Sequence, residues 1–248
     1  MRTGNPSLSD KTFEQHAGSI GEHMTLDGTV NKTGLLLLIT VLCAAWPWSM
    51  VMQSDGINLP SMLMPMAMGG AIVGFILALI ISFKAHTAPY LAPVYAIFEG
   101  VFLGAISGIF ELRFPGIVMQ AIALTFGTLG CLLLAYKSGL IKVTENFKLG
   151  VVAATGAIAV LYLVNFVMSF FGANMSFISS PTPIGIAFSA VVVVIAALNL
   201  VLDFDFIEKG VANKNPKYME WYGAFGLLVT LCWLYLEILR LLSKIRDR

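Results

Sequence analysis

Seven apolar runs, each near twenty residues long, alternate with short polar joints along the chain. They are Thr33–Met52, Met62–Phe83, Pro89–Phe110, Gly116–Tyr136, Leu149–Phe171, Ile184–Leu202 and Glu220–Leu242. A bilayer core of about 30 Å takes about twenty mostly apolar residues in helix, so each run is long enough to cross it. The joints carry helix breakers: Asp55-Gly56 with Pro60, His86 to Pro89, Pro115, Pro181 with Pro183, and Asn213 to Pro216. The runs are continuous, whereas a membrane β-barrel needs stretches of about ten residues that alternate in and out. The pattern predicts an all-α integral membrane protein, a seven-transmembrane-helix bundle with no separate soluble domain. Residues 1–32 read as a polar tail, flexible or interfacial, 33–242 as the membrane domain and 243–248 as a basic C-terminal tail.

Composition strengthens this reading. Of 248 residues 58% are apolar and only 12% charged, against about a quarter charged in soluble domains. Too little polar surface remains to coat a water-soluble globule, so the lipid bilayer is the expected partner. The net charge of +1 leaves no basic footprint for nucleic acid. Cys43, Cys131 and Cys232 sit in three different runs without metal or redox spacing, and read as small apolar filler. His16, His23 and His86 all lie in polar segments. The first run is long enough to span and starts only after Lys32, so it is expected to remain in the protein rather than act as a cleaved signal.

Lys and Arg in short loops set orientation. Arg2, Lys11, Lys32, Lys84, Lys137, Lys142, Lys148, Lys209, Lys214 and Lys217 fall on one side, while the opposite loops hold only Arg113. The N-terminus is therefore expected in the cytoplasm, at the bacterial inner membrane. Arg240, Lys244, Arg246 and Arg248 would then emerge outside after seven crossings, against the rule. A last run that enters without fully crossing is the alternative.

An ionised side chain near the bilayer centre costs roughly 3 kcal/mol on insertion scales, so the few acids within the runs mark candidate chemistry. Glu99 lies halfway along the third run, beside a ridge of Gly100, Gly104 and Gly108 that lets another helix approach closely. Gly70 and Gly74 repeat this spacing in the second run. At the end of the sixth run stand Asn199, Asp203, Asp205 and Glu208. Asn199 and Asp203 are four apart and share a helix face, while Asp205 points about 200° away from Asp203. In the last run Glu237 and Arg240 are three apart and can pair with each other, or Arg240 can serve as counter-charge to Glu99. Trp46, Trp48, Trp221 and Tyr222 suit interfacial belts.

Taken together, these features resemble the Bax inhibitor-1 family, also called YccA-like. The resemblance rests on Tyr95-Ala-Ile-Phe-Glu-Gly-Val-Phe-Leu-Gly-Ala-Ile-Ser107, on Thr125-Phe-Gly-Thr, on the Asp-containing end of the sixth run, and on Leu-Tyr-Leu with Ile238-Leu-Arg-Leu-Leu in the seventh. It covers roughly residues 33–245, and the polar N-terminal extension resembles that of a bacterial branch. It implies a bundle whose last helix is surrounded by the other six, and a pH-sensitive calcium leak, with stress or cell-death regulation in eukaryotic members. It further implies a gate in which an aspartate ending the sixth span and another in the seventh share a proton. Asp203 matches the first and Arg240 the family's arginine, but Thr230 stands where the second aspartate is expected. Asp205 or Glu237 could take that place. A glutamate expected in the second span is absent, and Glu99 could take over its pairing with Arg240.

The expected function is thus a pH-sensitive cation leak that passes Ca²⁺, with Glu99, Asp203, Asp205 and Glu237 sensing protons and Arg240 balancing charge. No cofactor is implied beyond transported Ca²⁺, and a metal site is left open. A non-conducting regulator that docks a membrane-protein partner, or a proton-coupled solute transporter, are the alternatives. Catalysis is not expected: no span holds a histidine, and His-Glu-x-x-His is absent.

Overall fold

The computed structural model describes residues 22–54, 60–173, 175, 178 and 180–248. Seven long helices follow in order: α1 (Leu26–Met52), α2 (Leu63–Phe83), α3 (Ala88–Arg113), α4 (Ile117–Lys137), α5 (Glu145–Ser169), α6 (Pro183–Ala212) and α7 (Met219–Arg246). Each is long and apolar enough to cross a membrane. A short 3₁₀ turn, Ala85–Thr87, links α2 to α3. We call the side where α1 starts the near face and the opposite side the far face.

Several helices run past their apolar windows. α1 begins seven residues earlier than Thr33, and α6 continues ten residues beyond Leu202. Residues 26–32 and 243–246, polar enough to be assigned to the tails, are helical; residues 1–21 lie outside the described part. The reason is local. Thr25, Thr144 and Thr182 each cap a helix, their hydroxyls accepting from the amides of Gly28, Phe147 and Gly185 at 3.0, 3.2 and 3.2 Å. A capped start satisfies an otherwise orphaned donor, so α1 and α5 begin where hydropathy is still low. At the other end of α6 the added turns carry the Asp205–Lys209 pair, one turn apart at 2.8 Å. At 28 residues, α7 measures about 42 Å, more than a crossing requires.

Lipid is as apolar as leucine, so close packing and polar contacts hold such helices together rather than hydrophobic burial. The Gly100, Gly104 and Gly108 ridge of α3 lies against Thr40, Ala44 and Val51 of α1, and Gly70 of α2 lies on Phe98 and Phe102 of α3. α7 packs against α1, α3, α4 and α6, and its residues enter two buried clusters, one with α1 and α3, the other with α4 and α6. It is the most buried span. Of the other six, α1, α3, α4 and α6 pack on it directly, α5 reaches it through Tyr162, which donates to Glu237, and α2 leans mainly on α3. The glycine ridge explains the α2 case, because it draws α1 onto α3 and leaves α2 only the outer side. Val41, Leu42, Phe75, Met119, Leu134, Leu163 and Val191 project outward, an apolar coat that suits acyl chains and would not suit water.

Candidate functional site

Two acids flank the middle of α7. Helix rise puts about 16 Å between the near-face end of α3 (Ala88) and Glu99, and about 14 Å between Asp203 and the near-face end of α6 (Ala212). The two carboxyls therefore sit at a similar depth. Asp203 faces the Gly226–Thr230 stripe of α7. A Cβ on Gly226 would stand 3.9 Å from its Oδ1, and Thr230 is the polar neighbour of the carboxyl. Its Oδ2 is buried without a hydrogen-bond partner among the described residues. Glu99 turns between Gly74 of α2, at 3.4 Å from a Cβ placed there, and α7, where Cys232 is its polar neighbour together with Tyr95 one turn earlier on α3. Neither acid meets a lysine or arginine among the ion pairs of the described residues. Thr230 and Cys232 are two apart on one helix, so the two acids approach α7 from nearly opposite sides.

The remaining candidates lie elsewhere. Asp205 is not a partner for Asp203; it takes Lys148 of α5 at 3.1 Å and Lys209 at 2.8 Å on the near face. Glu208 accepts from the Tyr136 hydroxyl. Glu237 is not available to Asp203 either. It is buried at 2% exposure and accepts from Tyr162 of α5 at 3.0 Å and from Arg240 at 2.8 Å. Arg240 is thereby committed to Glu237, and the pairing of Glu99 with Arg240 is not formed. Asn199 donates to Thr155 of α5 at 2.8 Å rather than extending the polar surface of Asp203. The proposed sensors thus do not converge on one pocket: Glu99 and Asp203 flank α7 from opposite sides, Asp205 turns away from Asp203 into a charged cluster with Lys148 and Lys209, and Glu237 belongs to the far half. Helical spacing predicts which residues share a face of one helix. It says nothing about which neighbour that face meets.

The sequence reading gave no site role to several polar side chains that the structure ties down. Tyr95 is four before Glu99, a spacing that could have flagged it. Tyr162 carries no such signal. Glu220, fully buried at the start of α7, accepts from the Thr25 amide and hydroxyl at 2.8 Å each and pairs with Lys32. Lys244, 5% exposed, donates to Ile178 O, Gly185 O and Ser189 Oγ at 2.7, 3.1 and 2.8 Å. These bonds, with those of Arg246 to Pro115 O at 2.8 Å and Gln120 at 3.0 Å, fasten helix ends at the far face.

Among the described residues no group of three or more His, Cys, Asp and Glu could hold a metal ion. No curated protein and no solved structure matches the chain. The sequence model of the Bax inhibitor 1 like family does match, over residues 5–247. With that match spanning nearly all of a seven-helix membrane bundle, the chain belongs to the Bax inhibitor 1 like family.

Proposed function

We propose that this protein is a cation leak that passes Ca²⁺ across the bacterial inner membrane, N-terminus in the cytoplasm, and that protonation of Asp203 and Glu99 controls it. The observation that carries the reading is the Asp203 carboxyl, held against α7 with, among the described residues, a buried oxygen unpartnered and no ion pair to a lysine or arginine. An uncharged carboxyl can satisfy itself there by donating to Thr230. An ionised one has a single hydroxyl to answer its charge, and an uncompensated charge in an apolar setting is costly. Water or a cation must then enter the α6–α7 seam, and carboxylate oxygen is a hard ligand that suits Ca²⁺. Higher pH therefore favours the conducting packing. With Thr230 in the place of a second aspartate, Asp203 and Glu99 titrate as separate groups rather than as a proton-sharing pair.

Calcium efflux from proteoliposomes over a pH series tests this. Wild-type leak should rise with pH, Asp203→Asn should be low and flat, and Glu99→Gln should lower the leak while keeping a pH response. Thr230→Asp, which rebuilds a carboxylate pair, should steepen the profile. Identical leak from wild type and the Asp203→Asn/Glu99→Gln double variant refutes the role of these acids. No flux at any pH, with a stoichiometric protein co-purifying, would instead favour the regulator.

A further inference from the structure

The far face holds a cavity of about 560 Å³ that the acids around α7 do not use. Arg113, Asn165, Arg240, Lys244 and Asp247 supply most of its polar lining. Their donors are only partly spent. Nη1 of Arg240 serves both oxygens of Glu237 and the Tyr162 hydroxyl, leaving Nη2 and Nε unbonded among the described residues. Arg113 uses Nη2 on Asp247 at 3.0 Å, leaving Nη1 and Nε. Asn165 accepts from the Met175 amide through Oδ1 at 2.9 Å, leaving its Nδ2. Lys244 has all three protons on neutral oxygens and forms no ion pair with a carboxylate among the described residues, so it adds positive charge behind the wall.

Acceptors are scarce by comparison. Asp247 is already on Arg113, and Glu237 sits behind Arg240. Glu111 is turned away on α3, where it caps α4 through the amides of Gly116 and Val118 at 2.5 and 3.1 Å. Arg113, Arg240 and Lys244 against Glu237 and Asp247 leave one positive charge, and Arg246, bonded to the Pro115 carbonyl beside the cavity, adds another. Two guanidinium edges and an amide around an open, net-positive space match an oxyanion, which arginine binds in bidentate fashion. The cavity also lies at the ends of α3 and α7, the level at which lipid headgroups stand.

We propose that this cavity binds a phosphate-type oxyanion, supplied by an anionic lipid headgroup or by free phosphate. The proposal is independent of ion conduction. Full-length protein in detergent should be titrated with phosphatidylglycerol, phosphatidylcholine and inorganic phosphate, with bound lipid counted by native mass spectrometry and ligand binding followed by thermal shift. Retention of phosphatidylglycerol at least tenfold above phosphatidylcholine assigns the lipid source. A stabilising shift with phosphate but no lipid preference assigns the free ion. In either case Arg113→Gln and Asn165→Asp should each weaken binding about tenfold. Asn165→Asp keeps the acceptor for Met175 while replacing the free donor, and the Arg113–Asp247 pair is exposed enough to contribute little to folding. No preference for either anion, or a preference that both variants leave intact, overturns the proposal.

Discussion

Gly104→Val should abolish recovery of folded, monodisperse protein, and Gly104→Ala should already lower its thermal stability markedly. A Cβ at this position would overlap the carbonyl oxygen, Cα and carbonyl carbon of Ala44 on α1. Those are backbone atoms of a packed helix and cannot rotate aside as a side-chain tip can. Overpacking a tight contact costs about 1–3 kcal/mol, and a second or third methyl on the same site must part α1 from α3 altogether. Because packing rather than hydrophobicity drives association in lipid, nothing else replaces the lost contact. Gly127→Ala is the control, since a Cβ there meets nothing within 4 Å. Size-exclusion profiles and melting curves in one detergent decide the matter; equal behaviour of Gly104→Val and Gly127→Ala would show that the ridge is not a packing surface.

Removing the Glu220 carboxylate should be the most damaging single change at the near face. The segment before α1 is strapped to the α6–α7 joint: His23 bridges Pro216, and the Met24 amide donates to Asn215 O at 2.7 Å. Glu220 finishes the strap by accepting from Thr25 and by pairing with Lys32, a side chain only 18% exposed. Breaking a buried pair from one side costs about 3–5 kcal/mol because the other charge is stranded. The partial exposure of Lys32 places Glu220→Ala near the lower end, and about 3 kcal/mol corresponds to a fall of about 6 °C or more in melting temperature for a chain of this size. Lys32→Met combined with Glu220→Leu should recover part of the loss. No buried charge is then left alone, and Lys217, the other cation on Glu220 at 3.6 Å, is exposed to water, while the two Thr25 donors still lose their acceptor. A Glu220→Ala protein that melts within about 1 °C of wild type would remove the strap from the list of stabilising contacts.

The apolar runs were enough to read seven membrane helices, because a bilayer demands length and hydropathy and both are properties of the chain itself. The same holds for the family, whose marks lie in contiguous fragments such as Tyr95–Ser107. Helix ends were less legible. The extra turns of α1 and α6 are polar; the Thr25 cap outweighs hydropathy at the start of α1, and the Asp205–Lys209 pair lies within the added turns at the end of α6.

The partners of the acids were not legible at all. Glu237 and Arg240 could be paired from spacing, as neighbours on one helix, but Tyr162 joins them from another span. Asp203 and Glu99 were visible as costly residues in apolar runs, while their separation on opposite sides of α7 depends on how four helices close around it. The sequence by itself determined the solvent, the number of crossings and the identity of the acids, since each depends on residues near one another in the chain. Only the tertiary structure decided which acids are neutralised and which stand alone, because charge compensation depends on distances across helices that no linear spacing encodes.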